Sequence, residues 1–412
     1  MSHTMNPNKV LAPLGLGLTL SLLGDATLYA VLPSPEIAMQ AGLSLAMVGF
    51  LLGINRLVRL LFNGMAGWVY DRLPRRPLML IAIVIGTVST AFYAFGSGLF
   101  LLTTGRVLWG LAWSGIWIGA NSMTLDISND LNRGRINGRL QMWFFIAVAV
   151  SSFCGGLFTD LFSYRGGLWV SSLLSFLGFL VWLRFLPETR PEKPRQFVAA
   201  NDSLQHKNHF PLKLTLACSF PFFINRVIFT GVLGSTTILW LSQFVSDGSL
   251  AFNRFTIPLA TMSGTFIAVR VLVSIVSVPQ IGLLSDRINR RWLVLVLLFF
   301  ICGAGGLVLL AVQNIWISVV GVILSAIAGG SVPALIPTII GDRIPQHQRG
   351  RSLGYIFSVG DLGSAIGPPI ALSLVGMISL PTLFLSCGVL LALTGLYTSI
   401  FAWQEHKQKV QI

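Results

Sequence analysis

The sequence predicts an all-α membrane protein: twelve transmembrane helices in two parallel six-helix repeats. Three observations predict it. The 412 residues are 54% hydrophobic and only 10% charged, whereas soluble proteins carry about 25% charged residues. A bilayer crossing needs about 20 apolar residues, and twelve such runs can be counted. A charged hairpin and a second polar motif each occur twice, at nearly one offset.

The runs fall at roughly 11–33, 45–66, 77–97, 99–124, 139–161, 167–186, 213–243, 258–282, 292–312, 314–340, 353–376 and 380–402. The first is too long for a signal h-region and has no evident cleavage site, so it is expected to stay as span 1. Forty-two glycines and eleven tryptophans fit this class, because Gly is favoured inside membrane helices and Trp at their interfaces.

Between spans 2 and 3 lies Gly67-Trp68-Val69-Tyr70-Asp71-Arg72-Leu73-Pro74-Arg75-Arg76. Between spans 8 and 9 lies Gly282-Leu283-Leu284-Ser285-Asp286-Arg287-Ile288-Asn289-Arg290-Arg291. Gly, Asp and three Arg recur with the same spacing, 215 residues apart. Asp126, Arg133, Gly134, Arg135 and Gly138 match Asp342, Arg349, Gly350, Arg351 and Gly354, each 216 apart. Ten identical positions mark tandem copies of one unit. The matching hairpins fall at equivalent places, so the copies run parallel about an axis along the membrane normal. The halves are then 1–186 and 213–412. Residues 187–212, opening Pro187-Glu188-Thr189-Arg190-Pro191, read as a flexible linker.

Orientation follows from the basic residues. Loops on one side carry 21 of the 28 Lys and Arg; the opposite loops carry Arg165 and Arg254. The positive-inside rule makes the basic side, and both termini, cytoplasmic. An integral, multi-pass protein of the plasma (inner) membrane is expected, with the bilayer as its surroundings.

The net charge of +14 would point to nucleic acid in a soluble chain, but its one-sided placement points to membrane orientation. Cys154, Cys218, Cys302 and Cys387 sit singly in apolar runs and read as packing residues. The five histidines lie in tails or loops, so no imidazole stands at mid-membrane. No Walker-type Gly-Lys-Ser/Thr occurs, which removes an ATP-driven pump. No nucleophile–base pair or metal cluster is visible, so neither an enzyme nor a cofactor is expected. A receptor or scaffold would need a signalling domain or large loops, and the sequence offers neither.

Twelve spans, a 6+6 repeat, a central basic loop and Gly-x-x-x-Asp-Arg-x-x-Arg-Arg between spans 2 and 3 together resemble the major facilitator superfamily over essentially the whole chain. Pro74 and Asn289 stand where that family usually has Gly. The Pro-Glu-Thr after span 6 also looks like the family. The resemblance implies a secondary transporter, acting as a monomer on a small molecule, with the hairpins as gates. Physically, Asp71 would meet the free N–H groups at the start of span 11. Asp286 would meet the start of span 5. Gly67, Arg72, Arg76, Arg287, Arg291, Arg135 and Arg351 complete the gating set. The bland reading of the same arginines is topology alone.

Charges inside the spans are functional candidates, since each costs about 2.5–3.5 kcal/mol at the bilayer centre on insertion scales. Asp25 lies about 21 Å along span 1 at 1.5 Å per residue. Followed by Pro33, it resembles the drug–proton antiporter branch, as does Arg106 with Gly110 in span 4. Asp25 and Asp361 would carry protons, with Arg106 tuning Asp25; both carboxylates could instead be structural. Span 5 has Cys154-Gly155-Gly156 and no proline, where that branch has a Gly-Pro motif. Arg56, Arg59, Arg226 and Arg270 are expected at a substrate cavity, where guanidinium forks match an anion; they could also bind carbonyls within one half. Trp109, Trp113 and Trp117 share one face of span 4, either as packing or as a cavity wall. The expected function is proton-coupled export of small amphipathic compounds. The alternative is uptake or exchange of a small anion.

Overall fold

The computed structural model describes residues 6–128, 132–190, 211–245, 249–252, 255–344 and 346–410. The chain runs as span 1 (Pro7–Val31), a short helix (Pro35–Gln40), span 2 (Leu45–Arg72), span 3 (Arg75–Phe95) and span 4 (Gly98–Asp126). Spans 5 and 6 form one assigned helix, Arg133–Phe185. Span 7 (Leu212–Phe244) is followed by a two-stranded hairpin, β1 (Ser249–Phe252) and β2 (Phe255–Pro258). Then come span 8 (Leu259–Ile288), span 9 (Arg291–Ala311), span 10 (Ile315–Arg343), span 11 (Gln346–Leu374) and span 12 (Leu380–Val410). Most of the expected linker, residues 191–210, lies outside the described residues.

Two differences from the sequence reading have physical causes. The expected loop between spans 5 and 6 is absent, and the reversal is made at Ser163, the one residue there with non-helical backbone angles (φ 71°, ψ 167°). After the turn, a Cβ at Gly167 would lie 2.9 Å from the Phe158 carbonyl carbon, so the returning helix starts where only glycine fits. Span 1 records the hairpin: Gly15 faces Trp143 of span 5, and Gly17 faces Trp182 of span 6. The Trp182 indole N–H donates to Pro13 O at 2.8 Å. Ten described helices are long and apolar enough to cross a membrane, with spans 5 and 6 counted as one. Span 11 is not among them. Its Asp361, paired prolines and repeated glycines dilute its apolarity, and it lies between the halves rather than facing only lipid.

Helix ends follow their local chemistry. Asn6 accepts from Asn8 N, Ser44 from Met47 N, and Asn314 from Trp316 N and Ile317 N, each satisfying orphan amides of a first turn. Pro74 precedes span 3, and Asn289 ends span 8 in the left-handed region (φ 52°). Asparagine tolerates that conformation better than most side chains. The two hairpins therefore turn by different means at equivalent places.

The halves meet along two seams, spans 2 with 11 and spans 5 with 8. On the face opposite the arginine hairpins the seams are backbone-tight. A Cβ at Gly49 would sit 2.8 Å from Pro369 Cα, and one at Gly53 would strike Ala365 O. Gly156 lies against Ala260, and Gly264 against Ser152. Toward the arginine-rich face the same helices diverge. A Cβ at Gly64, Gly67, Gly138, Gly282 or Gly354 would meet nothing within 4 Å. The bundle is closed at one face and open at the arginine-rich one.

Two substitutions test this gradient. Gly264→Leu should destabilise the protein by overpacking, typically about 1–3 kcal/mol, because backbone stands in the way. Gly282→Leu should leave the melting temperature nearly unchanged. Equal melting shifts for the two variants would contradict the arrangement.

Candidate functional site

The deepest charged pair joins spans 1 and 4. Arg106 is completely buried and ion-pairs with Asp25. Its Nε donates to Leu51 O at 3.0 Å and a terminal nitrogen reaches Leu52 O at 3.4 Å. The Tyr29 hydroxyl donates to the same Leu52 carbonyl at 2.9 Å, and the Tyr29 ring lies 5.6 Å from the guanidinium carbon. Asp25 and Arg106, expected together from the sequence, are in contact. The guanidinium also staples span 4 to span 2.

A second cluster bridges the halves. Asp361 of span 11 faces Arg56 at 4.0 Å and Arg59 at 3.7 Å, both from span 2. These are long beside the 2.7–2.9 Å of a charge-assisted hydrogen bond. The Nε atoms of Arg56 and Arg59 are buried without a partner. Arg226 joins from span 7: a Cβ on Gly360 or Gly363, flanking Asp361, would stand 3.3 Å from Arg226 side-chain carbons. Two guanidinium groups therefore face one carboxylate, with the stem of Arg226 packed beside it and the Arg226 guanidinium carbon 5.3 Å from the Phe222 ring. The Asn55 amide oxygen (2% exposed) and the Asn225 amide oxygen (1%) are also buried without partners, one residue before Arg56 and Arg226. The repeated Asn-Arg pair was the sequence signal for both, and it was not used.

Arg270 behaves differently from Arg56. It donates to Phe229 O at 3.4 Å, within its own half. Phe229 lies in a π-helical stretch, Arg226–Val232, where an i→i+5 pattern replaces the regular ladder; such stretches are frequent at functional sites. Arg56 and Arg270, both expected at the cavity, thus differ in their partners. The tryptophans also divide. Trp109 is buried against span 3, with its ring 3.2 Å from a Cβ at Gly86. That replaces the expected cavity position of Trp109 with helix packing. Trp113 lies 6.0 Å from the Arg59 guanidinium carbon and stacks on Trp117.

On the arginine-rich face each half has a matching clamp. In the first, Arg75 Nε pairs with Asp126 at 3.1 Å, and Thr189 also donates to Asp126. Glu188 accepts from the backbone N–H groups of Arg75, Arg76, Thr189 and Arg190 at 2.9–3.0 Å, capping span 3. Arg76 reaches Leu183 O, and Arg190 reaches the Arg72 and Asp71 carbonyls. In the second, Arg291 pairs with Asp342 and, at 2.8 Å, with Asp286. Glu405 accepts from Trp292 N at 3.4 Å and from Arg343 at 2.8 Å. Sequence reasoning gave Glu188 and Glu405 no role, although they stand 217 residues apart, close to the repeat offset.

Among the described residues, the latches expected from Asp71 and Asp286 are not made in this open conformation. Asp71 is exposed, and Asp286 is held by Arg291 of its own hairpin. Arg135, Arg287 and Arg351 are exposed, Arg72 lies over Trp68, and Gly67 faces open space. On the closed face a carboxylate does cross between halves. Asp160 accepts from Thr261 N at 2.6 Å and from its hydroxyl at 2.5 Å, capping the start of span 8. Ser263 donates to Ala30 O beside it at 2.6 Å.

Comparison with known proteins agrees with this architecture. Residues 14–274 and 239–412 match the family model described as Major Facilitator Superfamily. The chain is similar to the inner membrane transport protein YajR of Escherichia coli, at 25% identity over 399 residues, covering 95% of this chain and 83% of that one. It is similar to the tetracycline resistance protein, class B, of Escherichia coli, at 24% over 363 residues, covering 87% and 84%. Its fold is similar to the solved structure of the human organic anion transporter MFSD10 (TETRAN), with TM-score 0.65, 18% identity and 96% and 100% coverage.

Two predictions follow from the charges. Asp25→Asn leaves the buried Arg106 without its counter-ion and should cost about 3–5 kcal/mol, read as a large loss in melting temperature. Partial burial works against ionisation of Glu188, but its four backbone donors outweigh it and hold the carboxyl below its ordinary value. That stabilisation is present above the unfolded value of about 4.3 and is lost as pH falls through the folded one. Glu188→Gln should therefore melt below the wild type at pH 7, and the difference should vanish in acid.

Proposed function

Because the chain belongs to the Major Facilitator Superfamily, and is a multi-pass membrane transporter of small molecules rather than an enzyme, we propose that it carries a small amphipathic organic anion. One observation carries this reading: the guanidinium groups of Arg56 and Arg59 face the single carboxylate of Asp361, each with an unsatisfied N–H, and the stem of Arg226 packs alongside. A carboxylate, sulfonate or phosphate entering there would meet donors at hydrogen-bonding reach and offset an excess of positive charge in a poorly solvated place. A cationic substrate would add to that excess. The similarity to MFSD10, titled an organic anion transporter, is in keeping with it.

Proton coupling follows from competition. Ionised Asp361 and a bound anion want the same guanidinium groups. Protonating Asp361 releases them, so the proton and the anion each favour the other's binding. By linkage that coupling is reciprocal, and it moves the two in the same direction. The second reading is proton-coupled export by exchange. The buried Asp25–Arg106 pair and the similarity to a tetracycline resistance protein favour it. There, proton and substrate would oppose each other's binding.

The arginine-rich face is the cytoplasmic one in this proposal, with both termini on that side. The protein works as a monomer whose halves, 1–186 and 213–412, rock about the central cluster, joined by 187–212. The conformation described is then the inward-open one. Asp71 would meet span 11 when that face closes, which is why it stands unused while the face is open.

The test is binding to purified protein of a panel of organic carboxylates, sulfonates and quaternary amines at two pH values. Arg56→Gln and Arg59→Gln should each weaken anion binding about tenfold or more, the worth of a charge-assisted bond. Anion affinity should rise on acidification, and Asp361→Asn should abolish that dependence. Affinity that falls on acidification would favour exchange. Preference for quaternary amines, unaffected by Arg56→Gln, would end the anion reading. Asp71→Asn should insert normally and slow transport in vesicles.

A further inference from the structure

We propose that the anion this site takes is aromatic, its ring resting on a shelf built from Trp113, Trp117 and Phe144 beside Arg59; the inference rests on the anion reading above. Trp113 and Trp117 are one helical turn apart on span 4, with rings nearly parallel (10°) at 5.8 Å between centroids. Phe144 of span 5 closes the shelf, 5.0 Å from Trp117 and 5.9 Å from Trp113. Trp113 is 6% exposed and forms the back of the shelf, while Trp117 and Phe144 are half-buried and offer open ring surface.

The direction of the shelf follows from its neighbours. Trp113 is reached by Arg59 from span 2 and by Phe144 from span 5. Spans 2 and 5 are the helices of this half that pack most extensively on the other half, through spans 11 and 8, with span 1 adding a smaller contact with spans 7 and 8. A side chain of span 4 that meets both points between them, toward the opposite half and away from span 3, where Trp109 packs. Trp117 and Phe144 lie toward the ends of their helices at the arginine-rich face, along the open side of the bundle.

Arg59 joins the two chemistries. A terminal nitrogen stands 3.7 Å from Asp361, while the guanidinium carbon lies 6.0 Å from the Trp113 ring. A ligand whose carboxylate replaces Asp361 at Arg59 would therefore place a directly attached ring at the shelf. Stacked or edge-on aromatic contacts add to simple burial, and an apolar aliphatic ring of the same size gains only the burial. The shelf should select aryl carboxylates over their saturated analogues.

The experiment measures binding of 2-naphthoate, decahydro-2-naphthoate and 2-naphthylmethylamine to the full-length purified protein by isothermal titration. The expected result is 2-naphthoate ahead of its saturated analogue by about two- to tenfold, the range of an aromatic pair, and of the amine by more. Trp117→Leu and Phe144→Leu should bring that ratio toward one with little change for the decahydro compound, and Trp117→Phe should restore it. A shelf that only packs the helices would weaken both carboxylates together, and an unchanged ratio in the leucine variants overturns the proposal. Equal binding of both carboxylates by the wild type also overturns it while leaving the anion reading standing. Binding of the amine alone, or of none of the three at millimolar concentration, sinks both.

Discussion

Buried guanidinium groups govern this bundle. An arginine remains charged wherever it is placed, so each one within a span must be given an anion or a set of acceptors. Arg106 has both, in Asp25 and two carbonyls of span 2. Arg270 has one carbonyl, Phe229 O within the π-helical stretch of span 7, and its Nε is buried without a partner. Arg56 and Arg59 share Asp361, and at a distance, with Arg226 packed alongside. The fully satisfied arginine fixes how spans 1, 2 and 4 pack. Arg56 and Arg59, less completely satisfied, lie where the two halves face each other. The same side chain thus serves in two settings, separated by how completely its hydrogen bonds are met.

The repeat extends to side-chain contacts as well as to sequence. Span 3 begins at Arg75 and span 9 at Arg291. In each case the first arginine pairs with an aspartate at the end of the following span, Asp126 or Asp342, and a glutamate in or just beyond the half's last helix meets the next backbone N–H. The motif arginines align at an offset of 215, whereas these working pairs align at 216. Asn289 in the left-handed region replaces Pro74 at the turn, and the register slips by one residue there. Two copies of one ancestral clamp have kept the contact while moving it to a neighbouring position.

Much of this was legible in the sequence because membrane physics leaves few choices. Apolar run length set the spans, and charge placement set which loops share a face. Asp25 and Arg106 read as partners, and they touch. The reversal at Ser163 was not legible, since a turn of one residue leaves no polar run to mark it. Nor was the contact of Asp361 with Arg56 and Arg59, which belong to different halves and are joined only by packing of spans 2 and 11. The Trp109, Trp113 and Trp117 stripe looked uniform, but 3.6 residues per turn rotates every fourth residue steadily around the helix. Trp109 ends against span 3 and Trp113 between spans 2 and 5.

The open face has an electrostatic reason to be open. Arg72, Arg287, Arg135 and Arg351 are all exposed there, and closing the bundle would bring these like charges together. The available acids are mostly committed: Asp126 to Arg75, Asp342 and Asp286 to Arg291, Glu188 to backbone, and Glu405 to Arg343. Asp71 is the exposed carboxylate of the first hairpin that none of these pairs occupies. The opposite face carries fewer basic residues and is held by glycine contacts and by Asp160 on the start of span 8. With like charges kept apart at one end and backbone packed against backbone at the other, the bundle stands open on its basic side. An anion drawn into the centre would screen part of that repulsion and favour closure around it.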